Sequence, residues 1–201
     1  MECKFFNPIA IAQVAVPGDL FYQINELSDS LLNQPQHDYT GSDLTLRGGK
    51  QQRVWPNETS NDISWLSNWI ESQARLYQQQ VCNQAENWDA MHLHPKLMNC
   101  WTISQEEHSY QVTHCHPYGN ISGNLYLEVP KLDKKSSKTD CCISFLFDQA
   151  QDLRQLRLRD SLHYFPKVGT MLIFPSWLPH QVYPWKGTGS RRVLAWDCNL
   201  I

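Results

Sequence analysis

The residues best suited to chemistry in this chain are histidines. There are eight among 201 residues, and three groupings stand out. His92 and His94 lie two apart before Pro95. His114 and His116 lie two apart around Cys115 and before Pro117. His180 closes the run Phe174-Pro175-Ser176-Trp177-Leu178-Pro179-His180. Residues two apart on a strand point to the same face, so His114 and His116 can offer two imidazoles to one ion. Neutral imidazole suits zinc, copper, iron or nickel, and a third ligand from a distant strand would complete a face that leaves positions open. A His-x-His pair alone also arises by chance, so the surroundings decide. Eleven residues after His180 come Arg191 and Arg192. An arginine fork matches a carboxylate, so a dicarboxylate chelating the metal at one end would be held by an arginine at the other. Nothing downstream answers His92 and His94, which are expected at the surface or in a loop.

Such a site needs strands to carry it, and the second half of the chain supplies them. Short apolar or alternating runs follow one another: Leu97–Ile103, Tyr110–His116, Leu125–Val129, Cys141–Phe147, Leu162–Phe165, Met171–Phe174 and Val193–Cys198. Gly and Pro separate most of them, the pattern of a sandwich or barrel. The first third reads as helical. Asp19 can cap a helix whose apolar stripe is Leu20, Ile24, Leu27 and Leu31. The polar stretch Gln34–Ser60 reads as loop with room for one short strand. Asn61 or Asp62 can cap a second helix with the stripe Ile63, Leu66, Ile70, Ala74, Tyr77 and Val81. Helices first and an all-β part after them predict a mainly β fold, a jelly roll with helices packed outside one sheet. One domain is expected over residues 1–201, with 1–95 a helical and loop support region and 96–201 the jelly-roll catalytic core.

Composition narrows the function classes. Charged residues make up 18% and the net charge is −3, which argues against nucleic-acid binding, for which a basic excess is the footprint. No stretch approaches the roughly 20 apolar residues of a membrane span. The N-terminus does not read as a signal peptide: Lys4 is its only basic residue and Asn7, Pro8 and Gln13 interrupt the apolar run. Seven Cys, with no CxxC and no framework spacing, read as reduced thiols in a cytosol-like compartment. Lys131–Thr139 reads as a solvated hairpin loop, and Arg154, Arg157 and Arg159 as a basic stretch near the barrel rim.

The segment from about Trp101 to Asp197 resembles the iron(II)- and 2-oxoglutarate-dependent oxygenases, in a prolyl-4-hydroxylase-like branch found in bacteria and marine phages. The matching residues are His114-Cys115-His116-Pro117, Ser122-Gly123 with Tyr126-Leu127, the Phe174–Pro184 run around His180, and the strand Arg191–Asp197. The resemblance implies a double-stranded β-helix, the cupin-like jelly roll. It places His114, His116 and His180 at the metal-ligand positions. The superfamily usually has Asp or Glu where this chain has His116, though the branch commonly has His; His116 is then a ligand, or a neighbour with a water completing the shell. Tyr126 stands where a hydroxyl helps bind 2-oxoglutarate, and Arg191, aligned through Trp196, where an arginine holds its distal carboxylate. A supporting Ser of that motif is Val193 here. Trp101, Tyr110, Ser122 and Trp177 are the further pocket candidates, Trp177 otherwise reading as a buried anchor of its turn. Cys115 is expected on the opposite strand face, without a role.

The implied activity is hydroxylation by an oxidoreductase that uses iron(II), 2-oxoglutarate and O2, releasing succinate and carbon dioxide. The resemblance favours a peptide or protein side chain as primary substrate, with a small metabolite or nucleotide as the alternative, and the location would be the cytoplasm, or a host's if the source is a phage. Two other readings share the fold. One is a cupin-like jelly roll that binds a metal or ligand without turnover. The other is a three-His dioxygenase that does not use 2-oxoglutarate.

Overall fold

The fold is described from a computed structural model over residues 1–6, 9–34, 45–55, 63–86, 89–147 and 161–201. The elements in chain order are β1 (Glu2–Phe6), β2 (Ile9–Ala15), α1 (Gly18–Leu32), β3 (Leu46–Arg47), β4 (Lys50–Trp55), α2 (Ser64–Ala85), β5 (Pro95–Gln105), β6 (Tyr110–His114), β7 (Ile121–Glu128), β8 (Lys131–Leu132), β9 (Ile143–Leu146), β10 (Ser161–Tyr164), β11 (Thr170–Pro175), β12 (His180–Val182), β13 (Gly187–Thr188) and β14 (Arg191–Leu200). Seven strands form one sheet in the order β1-β2-β11-β7-β14-β5-β4, and five form a second in the order β10-β9-β12-β6-β3. This is the two-sheet jelly roll expected, with all of its pairings antiparallel.

The larger sheet is covered on both faces, which explains why its strands read as near-continuous apolar runs. Leu125, Leu127, Met171, Ile173, Leu194 and Trp196 point to the layer shared with α1 and α2. Their neighbours Tyr126, Leu172, Phe174 and Val193 point between the sheets, against Ile143, Phe145 and Val182 of the smaller sheet. Each fully buried large apolar side chain contributes about 1.5–3 kcal/mol, so the alternation fixes which face each strand presents. Gly123 is required where β7 crosses Trp196: a Cβ there would stand 2.3 Å from the indole.

Three expectations are corrected. The first third is not only helical, because β1 and β2 pair with each other and β2 with β11; the run Ile9-Ala10-Ile11-Ala12 lacks polar alternation since the sheet it joins is covered on both faces. β3 and β4 likewise bring residues 46–55 into the two sheets. Asp19 lies in the first turn of α1, after the N-cap Pro17, where its charge favours the helix dipole instead of capping. Asn61, Asp62, Arg154, Arg157 and Arg159 fall outside the described residues.

Candidate active site

The three histidines come together. β12 lies between β9 and β6, so His180 is the direct cross-strand neighbour of His114. β6 ends at His114. His116 therefore sits in the turn beyond the strand, held by its backbone N–H donating to Ser176 O at 2.8 Å. Ring centroids are 4.3 Å apart for His114 and His180, 5.1 Å for His116 and His180, and 5.3 Å for His114 and His116. One nitrogen from each lies within 4.8 Å of the others.

Each ring is oriented through Nδ1. His114 Nδ1 lies 2.7 Å from Val112 O, His180 Nδ1 2.9 Å from Leu178 O, and His116 Nδ1 2.6 Å from Asp197 Oδ1. An acceptor beside Nδ1 selects the tautomer in which Nδ1 donates and Nε2 keeps its lone pair. Burial pushes His114 down to about 4, aided by His116 and opposed by the Val112 carbonyl and by Asp197. His180 is also held well below its usual range, first by burial and then by His114 and His116. Neutral rings are the metal-ligating form, and an imidazole-only set fits a first-row transition ion better than magnesium or calcium.

A second cluster gathers around Arg191. Arg191 is buried, and its Nη1 donates to Gln105 Oε1 at 2.7 Å. Its Cζ stands 5.2 Å from the Tyr126 ring centroid; the guanidinium covers the ring, and the Tyr126 hydroxyl lacks a hydrogen-bond partner. Arg191 Nε, Arg191 Nη2 and Gln105 Nε2 are buried without partners as well. All four groups can donate, the composition expected of a carboxylate site. Burial pushes the Tyr126 phenol up to about 12 against the pull of Arg191. Arg192 points the other way and pairs with Asp29 and Asn25 of α1. The structure thus places Arg191 inside and Arg192 outside, adjacent strand residues facing opposite ways.

A cavity of about 290 Å³ opens beside the histidines, lined among others by Gln51, Arg53, Asn99, Trp101, Tyr118 and Asp197. Trp101 belongs to the site, its ring 5.6 Å from His116. Ser122 lies beneath His116, donating to Asp197 Oδ1 at 2.6 Å. Tyr110 opens β6, is exposed and does not line the cavity. Trp177 is 55% exposed and so is no buried anchor; the turn is held by backbone bonds from His116 N to Ser176 O and from Ser176 N to Asn120 O. Cys115 is exposed and lines the cavity, because the strand has already ended. His92 and His94 are exposed, as expected. Cys141 has φ 64°, so Cys141 and Cys142 are not extended. Burial pushes their thiols up to about 12 and about 11, against the pull of Arg191.

Two residues escape the sequence reading. Gln105 ends a strand with nothing to mark it except its registry opposite Arg191. Asp197 closes the motif strand, and its one signal is a carboxylate on the same face as Arg191.

Residues 99–197, just under half of the chain, match the model of the family described as "Putative 2OG-Fe(II) oxygenase". No curated protein matches the chain. Among solved structures, it is similar to a Pseudomonas putida prolyl-4-hydroxylase, at 18% identity and TM-score 0.59 over 94% of this chain and 92% of that one. It is also similar to the viral collagen prolyl hydroxylase of Paramecium Bursaria Chlorella virus-1 in its 2-oxoglutarate complex, at 12% identity and TM-score 0.55 over 94% and 96%. A third is HygX of Streptomyces hygroscopicus with nickel, 2-oxoglutarate and hygromycin B bound, at 11% identity and TM-score 0.55 over 97% and 84%. At these identities the likeness is one of fold: the double-stranded β-helix.

Proposed function

Residues 99–197 match the 2OG-Fe(II) oxygenase family, and on that footing we propose that the chain is an iron(II)- and 2-oxoglutarate-dependent hydroxylase. The carrying observation is the pairing of an imidazole-only face with a buried pocket whose free groups all donate. His114, His116 and His180 would hold the iron, and Arg191, with Gln105 and Tyr126, the distal carboxylate of 2-oxoglutarate. Together the bound iron and 2-oxoglutarate supply the O2-dependent oxidation that puts one oxygen atom into a substrate C–H bond, with succinate and carbon dioxide as coproducts.

The chain's own residues prepare that chemistry. The Nδ1 acceptors keep the Nε2 lone pairs directed at one point. Phe145 and Phe174 pack on the His180 ring at 5.9 and 5.0 Å and keep water from that side. A peptide or protein side chain is the substrate class we favour. Tyr118 is 85% exposed and lines the cavity, and its loop is bonded to the loop that carries the exposed Trp177; the two rings offer an aromatic surface on which an extended chain can lie. A binding-only jelly roll, or a dioxygenase without 2-oxoglutarate, has no use for a buried arginine among unpaired donors.

The test is succinate release by purified protein with iron(II), ascorbate and 2-oxoglutarate, against peptides and against small metabolites. Stimulation by peptides supports the full reading. Stimulation by metabolites alone keeps the oxygenase and removes the peptide. No succinate under any condition, with iron bound, overturns the reading.

A further inference from the structure

His114 and His180 have their tautomers set by main-chain carbonyls two residues back, which no side-chain substitution removes. His116 is different. It lies beyond the end of its strand, and its Nδ1 is matched by a side chain from β14, Asp197, 81 residues away in sequence at 2.6 Å. That carboxylate is itself built into the fold. Its Oδ1 also accepts from Ser122 Oγ at 2.6 Å, and Ser122 Oγ lies 2.8 Å from Ser176 Oγ. Ser122 and Ser176 are fully buried, and Asp197 nearly so. Gly119 packs over the group, since a Cβ there would stand 3.2 Å from Asp197 Cβ and 2.7 Å from Ser176 Oγ.

We infer that Asp197 is the positioning residue of the third metal ligand: it holds the His116 ring with Nε2 toward His114 and His180, and lends that imidazole the negative charge that a carboxylate ligand would otherwise bring. The inference rests on the reading of the three histidines as the metal site. A carboxylate behind a ligating imidazole fixes the ring and raises its basicity, and losing such a partner costs about 10- to 100-fold in metal affinity. The arrangement also accounts for a neutral residue at position 116. The carboxylate stands one imidazole further from the ion, and the charge of the site is kept.

The experiment is cobalt(II) titration of the apoprotein, followed through the visible d–d bands, without 2-oxoglutarate. Asp197→Asn keeps shape and an acceptor but loses the charge; Asp197→Ala loses both. Both are expected to weaken cobalt(II) about 10- to 100-fold and to shift the bands. In a His116→Ala background, Asp197→Ala should cost less than about twofold more, because a residue acting through His116 has nothing left to act through. In the metal-free protein a hydrogen-bonded imidazole N–H proton resonance is expected, absent from Asp197→Ala. Affinity and bands unchanged in Asp197→Asn and Asp197→Ala overturn the inference. So does an equal loss with and without His116, which would mark Asp197 as a general structural group. Unchanged cobalt(II) stoichiometry in His114→Ala would instead overturn the histidine site itself.

Discussion

A buried arginine surrounded by unpaired donors is a cost to the empty protein, and this gives a prediction with a sign. Arg191 is 1% exposed; it donates to Gln105 Oε1 and covers the face of Tyr126. Replacing a buried ion pair by well-packed apolar residues of similar volume is often neutral or stabilises by about 1–4 kcal/mol. Arg191→Met alone leaves Gln105 Oε1 without its donor, a loss of about 1–3 kcal/mol, so the single variant should be near neutral. Arg191→Met combined with Gln105→Leu removes both groups and should raise the stability of the apoprotein by about 1–3 kcal/mol. For a chain of this size that is an increase in Tm of roughly 2–4 °C per kcal/mol. The cosubstrate should show the reverse. A charge-assisted contact is worth about 1.5–3 kcal/mol, so 2-oxoglutarate should bind about 10- to 150-fold more weakly to either variant. Wild-type protein at a ligand concentration of about 100 Kd gains about 2.7 kcal/mol; the variants should lose most of that thermal shift. Arg192→Ala, on the opposite face, should alter affinity by less than about threefold while costing up to about 1 kcal/mol for its contact with Asp29. Calorimetry on manganese(II)-loaded protein and thermal melts with and without 2-oxoglutarate read both effects. A double variant that melts lower and still binds 2-oxoglutarate within threefold of wild type would show that Arg191 is a strut and not a ligand group.

Other outcomes follow from single contacts. His114→Ala and His180→Ala should each abolish stoichiometric iron(II) or cobalt(II) binding with the circular dichroism unchanged; metal content equal to wild type in both would put the site elsewhere. Gly123→Ala should destabilise by about 1–3 kcal/mol, seen in urea melts, since its Cβ would overlap the Trp196 indole; a change below about 0.5 kcal/mol would mean that Trp196 can move aside. All seven thiols should titrate in denatured, non-reduced protein, as the six cysteines whose side chains are described are free. In the native state Cys115, which is exposed, should react well before the buried Cys100, whose thiol burial pushes well above its usual range; a pair of thiols missing after denaturation would contradict the reduced state.

What the sequence determined by itself is local. The helix of residues 64–85 follows from apolar positions three and four apart, and most strands of the second half follow from short runs between Gly and Pro. That Arg191 and Arg192 face opposite ways follows from period-two alternation, and the resemblance, aligned through Trp196, pointed to Arg191. His114 and His180 were legible through their place in a motif-like run. What only the tertiary structure decided depends on contacts between distant strands. Ile9–Ala15 became a strand because β11 lay ready to pair with it, and a covered sheet erases the alternation that would have announced it. Gln105 met Arg191 through its registry on the neighbouring strand, and the exposure of Tyr110 and Trp177 was likewise set by the packing around them. Asp197 met His116 across 81 residues. A hydrogen bond of that reach leaves no periodic trace in the chain, since its geometry is set by strand order and by the bulge at Asp197–Cys198, and neither is a property of any local window of sequence.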